Sequence, residues 1–550
     1  MNQFRTYIFM LFALVYNTAA AQLSSLPKVK TPVFKKDTFD ITSYGAVADG
    51  ITLNSKSIAQ AIEACHKNGG GVVAVPEGLW LTGPIVLLSN VNLHLKRNAI
   101  IQFTNDFNQY KLVASNWEGV PQMRNQSPLS ATRATNIAIT GSGIVDGAGE
   151  AWRMVKKDKL TESAWKKLLA SGGILSSDKK LWYPSEKSLK GAEMKNPGYI
   201  NKDKKPADYD SIKDFLRPNL LVFDQCKIIL LEGVTFQNSP AWCLHPLMSE
   251  DLTIRNIVAK NPWYAQNGDG LDLESCKNVL VENSVFDVGD DGICIKSGRD
   301  EEGRKRAMPT ENVHIRNCIV YHAHGGFVIG SEMSGGAKNI YVNSCTFIGT
   351  DIGLRFKTTR GRGGIVENIH INNITMRDIP GEAILFDMYY AAQDPIQLAG
   401  EKREPPKVEE LPVTDKTPQF RDIYINNVVC NGAEKAIFVR GLPEMNVKNI
   451  ILENMVIQAR QGLDMTEGSD ITLKNVKLFT EDKGAVLNIH NSKNIKLSKI
   501  SYSPGRDLFL NVSGAKSAGI KIETDDKTKI AKSILYSYGA TENSVETKSN

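Results

Sequence analysis

Asp251-Leu252-Thr253-Ile254-Arg255-Asn256, Asn278-Val279-Leu280-Val281-Glu282-Asn283 and Asn312-Val313-His314-Ile315-Arg316-Asn317 are three copies of one short pattern. Each opens on Asn or Asp, alternates apolar with variable residues, and closes on Asn. A period of two puts every second side chain on one face, which describes a strand and not a helix. Copies continue at Asn339-Ile340-Tyr341-Val342-Asn343 and Asn368-Ile369-His370-Ile371-Asn372-Asn373. Others start at Asp422, Asn449, Asp470 and Asn494, and an earlier one at Asn136. Most lie about 21 to 34 residues apart, the spacing of a solenoid. Short strands ending in Asn or Gly, with no helical pattern between copies, predict an all-β parallel β-helix. A β-sandwich also needs many short strands, but not a recurring unit. The Asn residues are placed to stack as hydrogen-bonded ladders at the turns.

This architecture accounts for the length. A chain of 550 residues exceeds an ordinary compact domain, whereas a solenoid coil needs only its neighbours to complete a core. Apolar content of 42% and charged content of 23% are those of a soluble globular protein. A net charge of +6 is too slight to argue for nucleic acid, yet allows a local basic patch facing an acidic ligand.

Several segments fall outside the repeat. Arg5, the apolar run Tyr7 to Tyr16 and Ala19-Ala20-Ala21 predict a cleaved signal peptide over 1–21, and so a secreted or periplasmic protein. The run is shorter than the roughly 20 residues of a membrane-spanning helix. The first cysteine, Cys65, is far from the cleavage point, so no membrane or lipid anchor is expected. Residues 22–37 read as a leader and 38–540 as the β-helix, with a helix-like stretch at Ala61 to Ala64 capping the first coil. Residues 151–216, rich in Lys and carrying Trp152, Trp165, Trp182 and Tyr183 without a strand pattern, read as an insertion. Pro395, Pro405, Pro406 and Pro412 mark a loop over 391–420, and 541–550 reads as a polar, frayed tail. The eight cysteines leave two readings open, disulfides or small buried hydrophobes.

The chemistry sits in four clusters: Asn267-Gly268-Asp269, Asp290-Asp291, His324-Gly325 and Arg355-Phe356-Lys357. Aligning the second strand of successive copies stacks Leu271, Ile293, Phe327 and Leu354 inward, with Leu273, Ile295, Ile329 and Phe356 beside them. Asp272, Cys294, Val328, Arg355, Lys296 and Lys357 then point outward. Arg355 and Lys357 are accordingly expected to matter little for stability. Asp269 falls level with Asp291 and Asp290 with His324, on strands about 4.8 Å apart. A single Asp near a turn is usually a cap for local amides. Three on adjacent coils are different, because crowded like charges cannot all ionise. Gly325-Gly326 are expected to leave room for a ligand beside His324.

These clusters resemble the four signature motifs of polygalacturonases, glycoside hydrolase family 28: Asn-Thr-Asp, Gly-Asp-Asp, Gly-His-Gly and Arg-Ile-Lys. The likeness extends to Tyr44-Gly45-Ala46, Asp49-Gly50 and Asn238-Ser239-Pro240-Ala241-Trp242, and runs to about residue 500. Gly268 replaces Thr, Ala323 the first Gly, and Phe356 Ile; no charged group is lost. The resemblance implies a right-handed, pectin-lyase-like β-helix. It implies hydrolysis of α-1,4 galacturonosidic bonds with inversion, without cofactor or metal, by a monomer acting on an acidic plant cell-wall polysaccharide or oligosaccharide. Asp290 would be the general acid, with Asp269 and Asp291 activating water and His324 tuning Asp290. The acid and base would stand about 6.5–9.5 Å apart. Arg355, Lys357 and Asn267 would bind substrate, and Tyr389 or Tyr390 would stack on a sugar. Lys296-Ser297-Gly298-Arg299-Asp300 and Gly330-Ser331-Glu332-Met333 resemble the bacterial exo-acting branch, which implies release of units from the non-reducing end. A pectate-lyase-type β-elimination and a non-catalytic polysaccharide-binding β-helix remain as alternatives. Unsaturated products would mark the first, and indifference to loss of a carboxylate the second.

Overall fold

The computed structural model describes residues 28–390, 408–504, 508–524, 530 and 532–548. The expected signal peptide and most of the proline-marked loop therefore lie outside the described residues. Parallel pairing stacks the strands coil on coil along the described residues, three to a coil around the predicted clusters. One coil runs Leu271–Glu274, Lys277–Glu282 and Val285–Asp287. The next runs Asp291–Lys296, Thr310–Arg316 and Ile319–Tyr321. Leu271 pairs with Ile293, Val279 with Val313 and Val285 with Ile319, so each strand lies on its counterpart one coil earlier. This is the parallel β-helix that the period-two repeat requires.

The turns explain the repeat's asparagines. Asn136, Asp251, Asn278, Asn312, Asn339, Asn368, Asp422, Asn449, Asp470 and Asn494 all have φ between 53° and 60°. That left-handed region is costly for most L residues, and Asn and Asp enter it most readily. Their side chains also bond from coil to coil. Asn312 Nδ2 donates to Asn278 Oδ1 at 3.1 Å, Asn339 to Asn312 at 3.0 Å and Asn368 to Asn339 at 2.7 Å. The ladder satisfies polar groups that a stacked turn would otherwise bury unpaired. Inside, Leu271, Ile293, Phe327 and Leu354 form one buried column, and Leu273, Ile295, Ile329 and Phe356 another. Phe356 continues the stack onto Phe386, ring centroids 4.4 Å apart.

A helix, Ser55–Lys67, buries Ile58, Ala61, Ile62 and Cys65 against the first coil and closes that end of the core. All eight cysteines are buried free thiols, which settles the open question in favour of small core residues. Residues 151–216 do contain strands, too short for alternation to reveal. Val155–Lys156, Leu181–Tyr183 and Ile174–Leu175 form an antiparallel sheet beside the helices Glu162–Ala170 and Glu186–Glu193. Trp165 and Trp182 pack with Val155 in a small separate core. The tail is also more ordered than its polarity suggests, because Val545–Lys548 pairs in parallel with Ile520–Glu523 as a further rung. A hairpin, Leu112–Trp117 with Val120–Asn125, leans over the outer face. Among the described residues no helix is long and apolar enough to cross a membrane.

Candidate active site

The register brings the predicted clusters together. Gly270 N donates to Asp291 O at 2.9 Å, and His324 N to Asp290 O at 2.9 Å. Asp269 is thus level with Asp291, and Asp290 with His324. One carboxylate oxygen from each of Asp269, Asp290 and Asp291 lies within 4.8 Å of the others. Exposure separates the three. Asp290 is 22% exposed at its side chain, whereas Asp269 and Asp291 are 3% and 1% exposed. Asp290 is held by its neighbours: it accepts from Asn267 N at 3.2 Å and from Asp291 N at 3.0 Å. His324 Nδ1 stands 3.2 Å from the same carboxylate. The hydrogen bond to Asp290, aided by nearby anions, raises the His324 pKa against the opposing effect of burial.

Around this trio the charges divide. Burial pushes the Asp291 carboxyl up, but Lys357 and Arg355 outweigh it and hold the group ionised, well below the usual range. Lys357 Nζ is 2.7 Å from Asp291 Oδ2, and an Arg355 terminal nitrogen is 3.3 Å from Oδ1. Asp269 goes the other way: burial, then the nearby Asp272, Asp290 and Asp291, raise it well above the ordinary value. Asp272, fully buried, is pushed up to about 8 chiefly by burial, with Lys296 opposing. Neither Asp272 oxygen has a hydrogen-bond partner, and Lys296 Nζ is 3.6 Å away. Lys296 Nζ also lies 3.0 Å from Glu332, whose carboxyl is raised by burial but drawn down to about 2 by Lys296, Lys357 and Arg362. Two carboxyls with raised pKa values thus lie against one held ionised.

Several expectations require correction. Asp272, Cys294, Val328, Lys296 and Lys357 do point away from the coil interior, yet all are buried. Other segments cover them: Lys296 lies 4.7 Å over the Trp242 ring, and Trp117 of the hairpin stacks on Trp242 at 6.1 Å. Lys357 and Arg355 are turned onto Asp291, although Arg355 Nε has no acceptor. Tyr389 packs into the core, 6% exposed, whereas Lys357 Nζ lies 5.1 Å over the Tyr390 ring. Gly325-Gly326 make room for protein and not ligand. A Cβ at Gly326 would meet the Phe347 ring at 2.4 Å, and one at Gly325 would meet Val328 at 2.5 Å. At Gly268 a Cβ would lie 2.8 Å from Ala265, which accounts for Gly in place of Thr. The nearest oxygens of Asp290 and of Asp269 and Asp291 lie within 4.8 Å, closer than the separation of about 6.5–9.5 Å expected of an acid and base.

Other residues join the site without a motif to announce them. Arg217, just after the insertion, donates to Asn267 Oδ1 at 3.0 Å and to the carbonyl of Pro240 at 2.9 Å. It ties the insertion to the first cluster. A cleft of about 340 Å³ holds Asn267, Asp290 and His324 together with Met154, Lys156 and Lys159 from the insertion and Trp263. Trp263 is 54% exposed, unusual for so large an apolar group. Glu332 was visible only in a family-like segment and Lys296 besides only as an outward strand position; their pairing joins residues 36 apart in sequence.

The comparisons bear on these same coils. The family profile described as Glycosyl hydrolases family 28 matches residues 201–402, which contain all four clusters. A solved structure described as a hyperthermoactive exopolygalacturonase from Thermotoga maritima is 32% identical, covering 82% of this chain and 93% of its own, with a TM-score of 0.65. An exo-poly-alpha-D-galacturonosidase of Dickeya chrysanthemi is 26% identical over 84% of this chain and 72% of its own. An endo-polygalacturonase of Pectobacterium carotovorum subsp. carotovorum is also 26% identical, over 80% of this chain and 88% of its own. With likeness spanning nearly the whole of a solved relative, and the profile centred on the coils that gather the carboxylates, the chain belongs to glycosyl hydrolases family 28.

Proposed function

We propose that the protein is an exported polygalacturonase that hydrolyses α-1,4 bonds of pectic galacturonan with inversion, working as a monomer from the non-reducing end. The observation that carries this reading is the graded exposure of three clustered carboxyls. Asp290 alone reaches the cleft, so it is the group that protonates the leaving oxygen. Asp291, ionised and recessed, suits a base that acts on the sugar through a water molecule. Asp269, beside it, holds that water. A retaining mechanism needs a carboxylate in direct contact with the anomeric carbon, and neither recessed group is exposed enough for that. Inversion through water therefore fits, although the nearest oxygens are close together.

Elimination fits less well, because a lyase needs a neutral Arg or Lys as base. Asp291 keeps Lys357 and Arg355 charged, overcoming the effect of burial. The same cations offer a substrate carboxylate a charge-assisted contact through the 15% of the Arg355 side chain that is exposed. Release from a chain end is supported by the insertion, whose Met154, Lys156 and Lys159 wall one side of the cleft. The Lys296 and Glu332 segments that suggested the exo branch meet directly, Ser297 N donating to Glu332 O at 2.7 Å. Replacing Asp290 with Asn tests the reading. It keeps shape but removes the transferable proton, so turnover of polygalacturonate should fall by about 10²–10⁴-fold with folding and oligosaccharide binding intact. Retention of more than about a tenth of wild-type turnover would show that another group is the acid.

A further inference from the structure

Coils stack in chain order, so the site has a direction. Arg355 and Lys357 lie one and two coils beyond His324 and Asp290, respectively, on the C-terminal side of the acid. On the other side the cleft beside Asp290 is lined by Lys156, Lys159 and Trp263. Lys159 Nζ sits 5.4 Å over the Trp263 ring. Neither lysine is paired with a carboxylate among the described residues. An exposed indole offers a sugar face a stacking surface, and two unpaired ammonium groups offer a carboxylate a partner.

We propose that Lys159 and Lys156, with Trp263, form a second uronate subsite, on the opposite side of Asp290 from Arg355 and Lys357. The terminal galacturonate lies on Trp263 with its carboxylate on the lysines, and the next galacturonate takes Arg355 and Lys357. The enzyme then reads a carboxylate on both sugars that flank the scissile bond. Its substrate is a run of consecutive galacturonates, and not a polymer in which each uronic acid is followed by a neutral sugar. This rests on the hydrolase reading above.

The test is steady-state kinetics on digalacturonate and on its two monomethyl esters. Wild type and a Lys156→Ala/Lys159→Ala double variant are compared. Loss of a charge-assisted contact costs about ten- to a hundredfold in kcat/KM. Wild type should lose that much when the terminal carboxyl is esterified. The double variant should lose it on free digalacturonate, mainly through KM, and lose nothing further on that ester. It should still respond as wild type does to esterification of the reducing-end sugar, and Lys159→Arg in place of Lys159→Ala should restore most of the loss. A double variant within twofold of wild type on digalacturonate would overturn the subsite while leaving the hydrolase reading intact. So would an equal loss on all three substrates. If wild type cleaves no galacturonide at all, the underlying reading fails and the subsite with it.

Discussion

Lys357 stands where strand alternation sends it, off the coil interior, yet its side chain is only 7% exposed and its ammonium rests on Asp291. Alternation tells which side of a strand a residue takes; it cannot tell what the rest of the chain lays over that side. The four clusters and their register were legible for that reason, and their burial was not. The consequence is a stability effect the outward reading denied. Lys357→Ala leaves Asp291 buried beside a single, longer contact from Arg355, and removal of one partner from a buried pair costs about 3–5 kcal/mol. Chemical denaturation should show a loss of that order, whereas a change under about 0.5 kcal/mol would mean that solvent reaches the pair. Asp272 yields a prediction in pH. Its folded pKa, about 8, lies far above that of an ordinary carboxyl, so the native state holds a proton that the unfolded chain has released. Stability from this group is full below about pH 4 and is lost as pH rises through about 8. Asp269 acts with the same sign, and so does His324 where its raised pKa differs from the unfolded value. Asp291 and Glu332 act with the opposite sign, but their windows lie below about pH 4.5. Asp272→Asn should therefore flatten the decline of melting temperature between pH 5 and 8. An unchanged decline would mean that Asp272 is already ionised there.

At the scale of single elements, the turn asparagines did two jobs that one letter of sequence announces. Asn312 has φ of 57°, donates to Asn278 and accepts from Asn339. Asn312→Ala should cost about 1–2 kcal/mol for the left-handed backbone and about 1 kcal/mol more for the ladder bonds. Asn312→Gly keeps the backbone at ease and loses only the ladder, so it should be the milder change. Equal melting temperatures for the two variants would leave the backbone argument without support. The hairpin over 112–125 was missed for a related reason. Its two-residue turn is Glu118-Gly119, with φ of 47° and 80°. Two positive φ values suit the turn that joins tight hairpins, which Asn-Gly or Asp-Gly would have signalled. Glu in first place hid it. The hairpin matters because Trp117 and Glu118 reach Trp242 and Arg299, beside the buried Lys296. The insertion escaped for want of length, since strands of two or three residues show no period.

Across the whole molecule, a solenoid offers a groove open at both ends, along which a polymer can pass and be cut internally. Here the insertion at 151–216 stands beside Asp290 and is anchored to the first cluster through Arg217. On the function proposed above, a chain entering from the other side would meet that wall close to the scissile bond, and the enzyme would work from an end and not cut internally. The proposed function combines hydrolysis with an end-blocked groove. The most direct measurement is a time course of polygalacturonate digestion that follows viscosity, reducing sugar, ultraviolet absorbance and chromatographed products together. Single galacturonic acid should be the product from the earliest samples, with viscosity falling slowly and no absorbance from an unsaturated bond. A rapid early drop in viscosity with mixed oligomers would contradict the blocked end, and unsaturated products would contradict the hydrolysis.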